Sequence, residues 1–436
     1  METQDARVPS STMMRLVFRA SGLIARYKRV ALVAAIVVVL VEATRVAWRG
    51  KTGDFGPVIA VVNRLAAGEP MYVGNETGPA YVYSPLFALL IQPLGILPDK
   101  VIRFLWYLLT WVLLAGSWRL AALILYDGER SGAAVPKGYW LLAIAPIWYF
   151  AYYNALNGQT TPLMMFLVIL SYYLDRQGRQ WLAGISLAGS MLIKPFPVIV
   201  LGFYLLRKRW FTMLSTGVAS CVFLILPIIR FKKHYLEVLN SWMQVNRQQQ
   251  TIYDISDWAH QSISSFWYRV FGRHHPPPFL TDPTDPVFWV VWLSIAALVG
   301  VTVMTTLVAA RTSRQQDAHA AFAMYLLCWA LLPPTSWKHY YILLLFPCAL
   351  LAKVALSHEV GNKASMGVLG ALFVGLILLH IDLPGIKHTF YEMSTCVFMG
   401  LLVFGLLTSM VAKSFMAQPS PSHVRATRRG SLDGEA

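Results

Sequence analysis

In this chain of 436 residues, 21 Asp and Glu stand against 37 Lys and Arg. Carboxylate chemistry therefore has few candidates. One of them, Asp54, sits in Arg49-Gly50-Lys51-Thr52-Gly53-Asp54-Phe55-Gly56-Pro57, between glycines at the end of the first apolar run. A carboxylate there can take a proton from a hydroxyl, whereas Glu69 and Glu76, further along that loop, lie away from any apolar run. Other polar blocks border apolar runs: Tyr81-Val82-Tyr83-Ser84-Pro85-Leu86, Asn157-Gly158-Gln159, Lys194-Pro195-Phe196-Pro197, His260-Gln261-Ser262 with Arg269, and Ser336-Trp337-Lys338-His339-Tyr340-Tyr341. Lys194, Arg269 and His339 can hold a phosphate as it leaves, and Tyr81, Tyr83, Asn157, Gln159, His260 and Gln261 can line a sugar pocket. There is no Asp-x-Asp pair to hold a metal, so neither a metal nor another cofactor is expected.

Each of these residues also has a plainer reading. Asp54 before Gly-Pro is good helix-cap chemistry. Lys194 can snorkel from a helix end, and Arg269 shares its loop with Arg230, Lys232, Lys233, Arg247 and Arg273. His339 can anchor at an interface beside Trp337 and Tyr340, and Asn157-Gly158-Gln159 can simply be a tight turn.

The elements that must position these residues follow from composition. The chain is 56% hydrophobic and 13% charged, with a mean hydropathy of +0.52, and its apolar residues come in long blocks. Such blocks describe an all-α polytopic membrane protein. The net charge of +16 is spread over short loops without one basic face, which argues against a nucleic-acid partner. Cys221, Cys328, Cys348 and Cys396 lie within or against apolar runs without CxxC spacing, so no disulfide framework is indicated. Asn75-Glu76-Thr77 matches a glycosylation sequon. The expected organisation is a cytoplasmic segment 1–28, a membrane domain 29–412 with outer loops 49–99 and 230–285, and a disordered cytoplasmic tail 413–436.

Charge sets the expected topology. Arg15, Arg19, Arg26, Lys28 and Arg29 keep the N-terminus inside, which puts Asp54 outside. About twelve crossings, the later ones between 100 and 411 and including 139–155, 211–229 and 340–356, then bring every later basic cluster to the cytoplasmic side. Two segments need special reading. Pro85 to Pro98 is too short to span and is expected to lie in the interface. Trp181 to Leu206 as one straight helix would bury Lys194 at mid-bilayer, at about 2.5–3.5 kcal/mol, and strand one basic cluster outside. As two short helices turning at Lys194-Pro195-Phe196-Pro197 it keeps both clusters inside, with the turn sunk in a protein-lined pocket.

These blocks, in this order, resemble glycosyltransferase family 87, the polyprenyl-phosphate-mannose-dependent mannosyltransferases of the GT-C fold. The resemblance runs from Asp54-Phe55 through "YVYSPLFALLIQPLGILP", "NGQTTPLMMFL" and "LIKPFP" to "HQSISSFWYR" and "SWKHYY". Two positions depart from the family pattern: His260 stands where Asn is more common, and "SWKHYY" where two adjacent histidines are. The resemblance implies a first outer loop with two juxtamembrane helices and the catalytic carboxylate, Asp54. It also implies transfer of a hexose, mannose by family habit, from a polyprenyl-phosphate donor to a hydroxyl of a glycolipid or lipid-linked acceptor, with inversion, at the outer face of a bacterial inner membrane. Rival readings are a transporter or flippase of lipid-linked sugars and a non-enzymatic assembly subunit. Transporters commonly carry matched broken helices in both halves. The sequence suggests one break, at Lys194-Pro195.

Overall fold

The computed structural model describes residues 27–49, 53–73, 80–126, 135–136, 138–252, 254–272, 283–312, 314–357, 362–380 and 393–417. The sequon at Asn75, Arg273 and most of both terminal segments lie outside the described residues. Among those described, the chain is helical, with one isolated antiparallel bridge between His260 and Trp337.

The first helix, α1 (Lys28–Trp48), shows how such a chain packs. Val30, Leu32, Val33, Ile36, Val37 and Val38 are all exposed. Ala43 and Ala47 are deeply buried, Ala43 in a cluster with Tyr107 of α4 (Asp99–Tyr126) and Ala155. Apolar side chains outside and small residues at the helix contact are the arrangement expected of a helix in lipid. Among the described residues, five helical stretches are long and apolar enough to cross a membrane: Asp99–Tyr126, Trp210–Gln248, Pro286–Arg311, Lys338–Leu356 and Thr395–Met416. The protein is an integral membrane protein, and about twelve crossings remains a reading of the sequence.

The first loop carries the short elements expected of it. A 3₁₀ turn, Gly53–Phe55, leads into α2 (Gly56–Ala67), which buries Val58, Ile59, Val61, Val62 and Leu65 and ends at Gly68 with φ +76°. The extended segment 80–84 then enters α3 (Pro85–Ile91), where the Ser84 hydroxyl caps the Phe87 amide at 3.3 Å, and a 3₁₀ turn follows (Gln92–Ile96). Such a cap contributes about 1 kcal/mol.

Past the first loop lie α5 (Tyr139–Ile144), α6 (Trp148–Asn157), α7 (Thr161–Arg176) and α8 (Gln180–Ile193). The single run expected over 139–155 is broken by a 3₁₀ turn, Ala145–Ile147, because Pro146 can donate no helix hydrogen bond. Lys194 ends α8 in an extended conformation, as a residue before proline prefers. The chain resumes as 3₁₀ (Phe196–Val200) and α9 (Leu201–Leu206). Arg209 pairs with Asp175 at 3.1 Å, and the Thr212 hydroxyl donates to the same carboxylate at 2.7 Å. That contact puts the basic clusters at 176–179 and 207–209 at one end of the bundle, as a reversal at Lys194-Pro195-Phe196-Pro197 requires.

Beyond α10 (Trp210–Ile225), the described part of the expected outer loop 230–285 is largely helical. It contains α11 (Ile228–Phe231), a 3₁₀ turn (Lys232–His234), α12 (Tyr235–Ile252) and α13 (Ile263–Val270). The chain continues with α14 (Pro286–Arg311), α15 (Gln315–Leu331), α16 (Leu345–Leu356), α17 (Asn362–His380) and α18 (Thr395–Met416). The core sits here: α15 is buried from Asp317 to Leu331, and α16 is buried along nearly its whole length. A 3₁₀ stretch, Lys338–Leu344, precedes α16, so the second half also has an irregular segment and broken helices do not separate transferase from transporter.

Candidate active site

Asp54 is fixed by two glycines. Gly53, at φ +51°, places the turn against Asn157, and Gly158, the left-handed cap of α6 at φ +64°, lies so close to Phe55 that a Cβ would fall 2.6 Å from the Phe55 Cβ. The Phe55 ring stacks on Trp106 at 4.8 Å, and the Trp106 indole donates to the Gly158 carbonyl at 3.1 Å. The Gln159 amide, one residue on, donates directly to the Asp54 carboxylate. Asp54 is an exposed residue whose carboxylate opens into a cavity, and the cavity walls partly desolvate it. Burial pushes its carboxyl above the usual value, while the Gln159 hydrogen bond and the charges of Lys194 and Lys338 oppose that rise. Among the described residues no cation forms a direct ion pair with this anchored carboxylate, which suits a proton acceptor.

The cavity measures about 280 Å³ and is lined by Asp54, Tyr83, Gln159, Lys194, Asn246, Trp337, His339 and Tyr340 among others. Lys194 stands over two aromatic faces, its ammonium 5.1 Å from the Tyr83 ring and 5.9 Å from the Tyr340 ring, and donates to the Tyr340 hydroxyl at 3.5 Å. Ring faces hold a cation in place without cancelling its charge. His339 is buried, and among the described residues neither ring nitrogen has a hydrogen-bond partner. Its backbone carbonyl is held at 2.9 Å by Asn154 of α6, and this ties the 3₁₀ stretch to the helix that presents Asp54. Helix α12 closes one side. The Trp242 indole and the Asn246 amide both donate to the Val82 carbonyl, at 2.9 and 3.2 Å.

The structure thus brings together five expected residues: Asp54, Tyr83, Gln159, Lys194 and His339. The other five stand elsewhere. Arg269 donates to the backbone carbonyls of Asp257 and His260 at 3.0 and 2.9 Å and to the Ser394 hydroxyl at 2.7 Å, which makes it a clamp on the loop before α13 and not a cation of the cavity. His260 is enclosed against Trp337 at 4.7 Å, and burial pushes it down to about 4, so it is neutral. Gln261 donates its amide to the Trp258 carbonyl at 2.8 Å. Asn157 donates to the Tyr153 carbonyl at 2.8 Å and backs Gly53. Tyr81 is buried behind Tyr83, with ring centroids 5.3 Å apart.

Sequence reasoning missed Asn246, Tyr340 and Lys338. The Lys338 ammonium lies 4.7 Å from the rings of both Tyr153 and Trp258. Its signal was available, since it is a lysine in an apolar setting like Lys194. Asn246 had none, being one amide in a polar helix. Among the described residues no group of three or more His, Cys, Asp or Glu is placed to hold a metal ion.

A second cavity, about 580 Å³ and almost wholly apolar, lies between α3, α4, α7, α8 and α10, with Leu86, Phe87, Trp106, Leu167 and Ile193 among its walls. It abuts the polar cavity, because Ile193 precedes Lys194 and Phe87 packs on Tyr83 at 5.4 Å.

A family model described as glycosyltransferase family 87 matches residues 81–347. The chain belongs to that family. Asp54 lies outside the matched residues, so its candidacy rests on the geometry above. Among curated relatives, an α-(1→3)-arabinofuranosyltransferase of Corynebacterium glutamicum is 23% identical over 284 residues, 59% of this chain and 63% of that protein. One of Mycobacterium tuberculosis is 27% identical over 178 residues, 39% of this chain and 40% of that protein. The chain thus spans less than two thirds of the length of these relatives. Among solved structures, ArnT from Cupriavidus metallidurans bound to undecaprenyl phosphate gives a TM-score of 0.47 at 13% identity, covering 89% of this chain and 78% of that one. Its apo form gives 0.42 at 15% identity, covering 90% and 78%. The protein is thus a membrane-spanning member of glycosyltransferase family 87.

Proposed function

We propose that this family 87 enzyme has a GT-C-type architecture and transfers one sugar from a polyprenyl-phosphate donor to a hydroxyl of a lipid-linked or glycolipid acceptor, with inversion. One juxtaposition carries the reading. The Asp54 carboxylate and the Lys194 ammonium share a polar cavity that abuts an apolar one sized for part of a lipid chain.

The chemistry follows from the parts. Asp54 takes the proton of the acceptor hydroxyl, and the oxygen attacks the anomeric carbon on the face opposite the phosphate. The bond from the anomeric carbon to the phosphate oxygen breaks, and its electron pair leaves with the polyprenyl phosphate. Lys194 meets that developing charge, and a ring nitrogen of His339 donates a hydrogen bond to it. Gln159 holds the carboxylate in line. The isoprenoid chain lies along the apolar cavity. Each buried CH₂ there stabilises binding by about 0.8 kcal/mol. On the positive-inside rule the end holding Arg207, Lys208 and Arg209 is cytoplasmic, and the site opens at the outer face of the membrane.

The family resemblance suggested mannose, whereas the curated relatives act with arabinofuranose, so both donors belong in the test. Purified protein in lipid is given polyprenyl-phosphate mannose or polyprenyl-phosphate arabinofuranose with a glycolipid acceptor, and product is followed by mass spectrometry. Sugar transfer from one of the two, with the anomeric configuration inverted, is expected. Movement of donor across the bilayer without transfer would instead make this a transporter.

A further inference from the structure

The two lysines that act on Asp54 are built differently. Lys194 lines the cavity and can reach a ligand. Lys338 does not line it, although its neighbours Trp337 and His339 do. Its side chain is 6% exposed, and its ammonium is clamped at 4.7 Å between the faces of Tyr153 and Trp258, which come from α6 and from the loop before α13. Long lysine stems are otherwise mobile, and two ring faces restrict this one while leaving its charge intact. The 3₁₀ stretch that carries Lys338 is itself pinned by Asn154 to α6, the helix whose end caps the Asp54 turn. The clamp, the lysine and the carboxylate therefore belong to one rigid assembly.

We propose that Lys338 is a positioning residue: its fixed positive charge, clamped behind the cavity wall, makes the Asp54 carboxylate a competent base without touching substrate. This rests on Asp54 being the base of sugar transfer. Among the described residues, the groups that face Asp54 are the Gln159 amide, the ammonium groups of Lys194 and Lys338, and the phenols of Tyr153 and Tyr340, with His339 lining the same cavity. Burial works against ionisation of Asp54, and both lysines work for it. Of the two, only Lys194 can be drawn to a substrate phosphate, and while it serves that phosphate Lys338 remains to support the carboxylate. An opposite charge nearby favours the ionised carboxylate, so removing the Lys338 charge moves protonation of Asp54 to higher pH.

The test is the pH profile of kcat/KM for sugar transfer in wild type, Lys338→Met and Lys338→Arg. The acid limb of Lys338→Met should lie at higher pH, with a deficit of about tenfold at the acid end that shrinks toward alkaline pH. Lys338→Arg, which keeps a charge over the rings, should restore the wild-type limb. Should Lys338→Met fail to insert, Lys338→Gln against Lys338→Arg makes the same comparison. A Lys338→Met deficit equal at every pH, or one that Lys338→Arg shares, overturns the proposal and makes the residue a packing element. The proposed function itself fails on a different result, a wild-type protein that transfers no sugar at any pH.

Discussion

The two ends of this helix bundle hold charges in opposite ways. At the end of Arg207 and Arg209, polar groups meet polar groups: Asp175 with Arg209 and Thr212, Tyr172 with His319 at 2.9 Å, Arg176 with Gln315 at 3.0 Å, and Arg207 with the Ala309 carbonyl at 3.1 Å. At the end of Asp54, the two lysines rest on aromatic rings, and among the described residues neither ring nitrogen of His339 has a hydrogen-bond partner. A buried charge that the protein satisfies is a strut. A charge held by ring faces at the edge of a cavity keeps its reach for a ligand. On the proposed function the difference gives stability to one end and chemistry to the other, and substitutions at the two ends should separate accordingly.

Asp54→Asn is nearly isosteric and its amide oxygen can still accept the Gln159 hydrogen bond, so it should insert normally yet lose about 10²–10⁴ in sugar transfer. Donor affinity should survive, because the phosphate is held elsewhere in the cavity. Wild-type turnover in this variant would remove Asp54 as the base and leave it the acceptor of the Gln159 hydrogen bond.

Gly158→Ala acts on the same residue through the backbone. Its Cβ would fall 2.6 Å from Phe55 in a conformation L residues avoid, so the Asp54 turn must shift. A shift on the order of 1 Å costs about 10² in rate, and kcat should fall more than donor affinity. Unchanged kinetics would mean that the turn need not be held so tightly.

Lys194→Ala should raise donor KM and lower turnover together, by about tenfold to a hundredfold, with Lys194→Arg recovering part of both. Donor binding like that of wild type would make Lys194 a snorkelling anchor.

At the other end, Asp175→Ala removes the partner of Arg209 and Thr212. Arg209 is partly exposed, so the cost should be about 1–3 kcal/mol, read as a lower thermal midpoint in detergent. Sugar transfer per folded molecule should change by less than about twofold. A collapse of kcat without loss of stability would erase the distinction between the ends.

How far the sequence could be read depended on whether the deciding contacts were local. The break at Lys194-Pro195-Phe196-Pro197 was legible because proline geometry and the flanking basic clusters are both local facts, and the Asp175–Arg209 pair agrees with them. Asp54 stood out because carboxylates beside apolar runs are scarce. Arg269 and Lys338 could not be told apart in this way. Both are cations near the outer loops, and what separates them is long-range: Ser394 lies 125 residues from Arg269, and the clamp on Lys338 joins Tyr153 to Trp258 across the fold. His260 and Gln261 were misread for the same reason, since their packing against Trp337 and the Trp258 carbonyl decides what they can touch. The count of crossings was obscured by 3₁₀ stretches at Ala145–Ile147 and Lys338–Leu344, where hydropathy continues but the helix does not.

The most direct test is an experimental structure of the protein in lipid with polyprenyl phosphate bound. The phosphate should lie within hydrogen-bond reach of the Lys194 ammonium and a ring nitrogen of His339, with its first isoprene units entering the apolar cavity between Phe87 and Ile193. A phosphate found instead among Arg176, Arg207 and Arg209 at the far end would contradict the account.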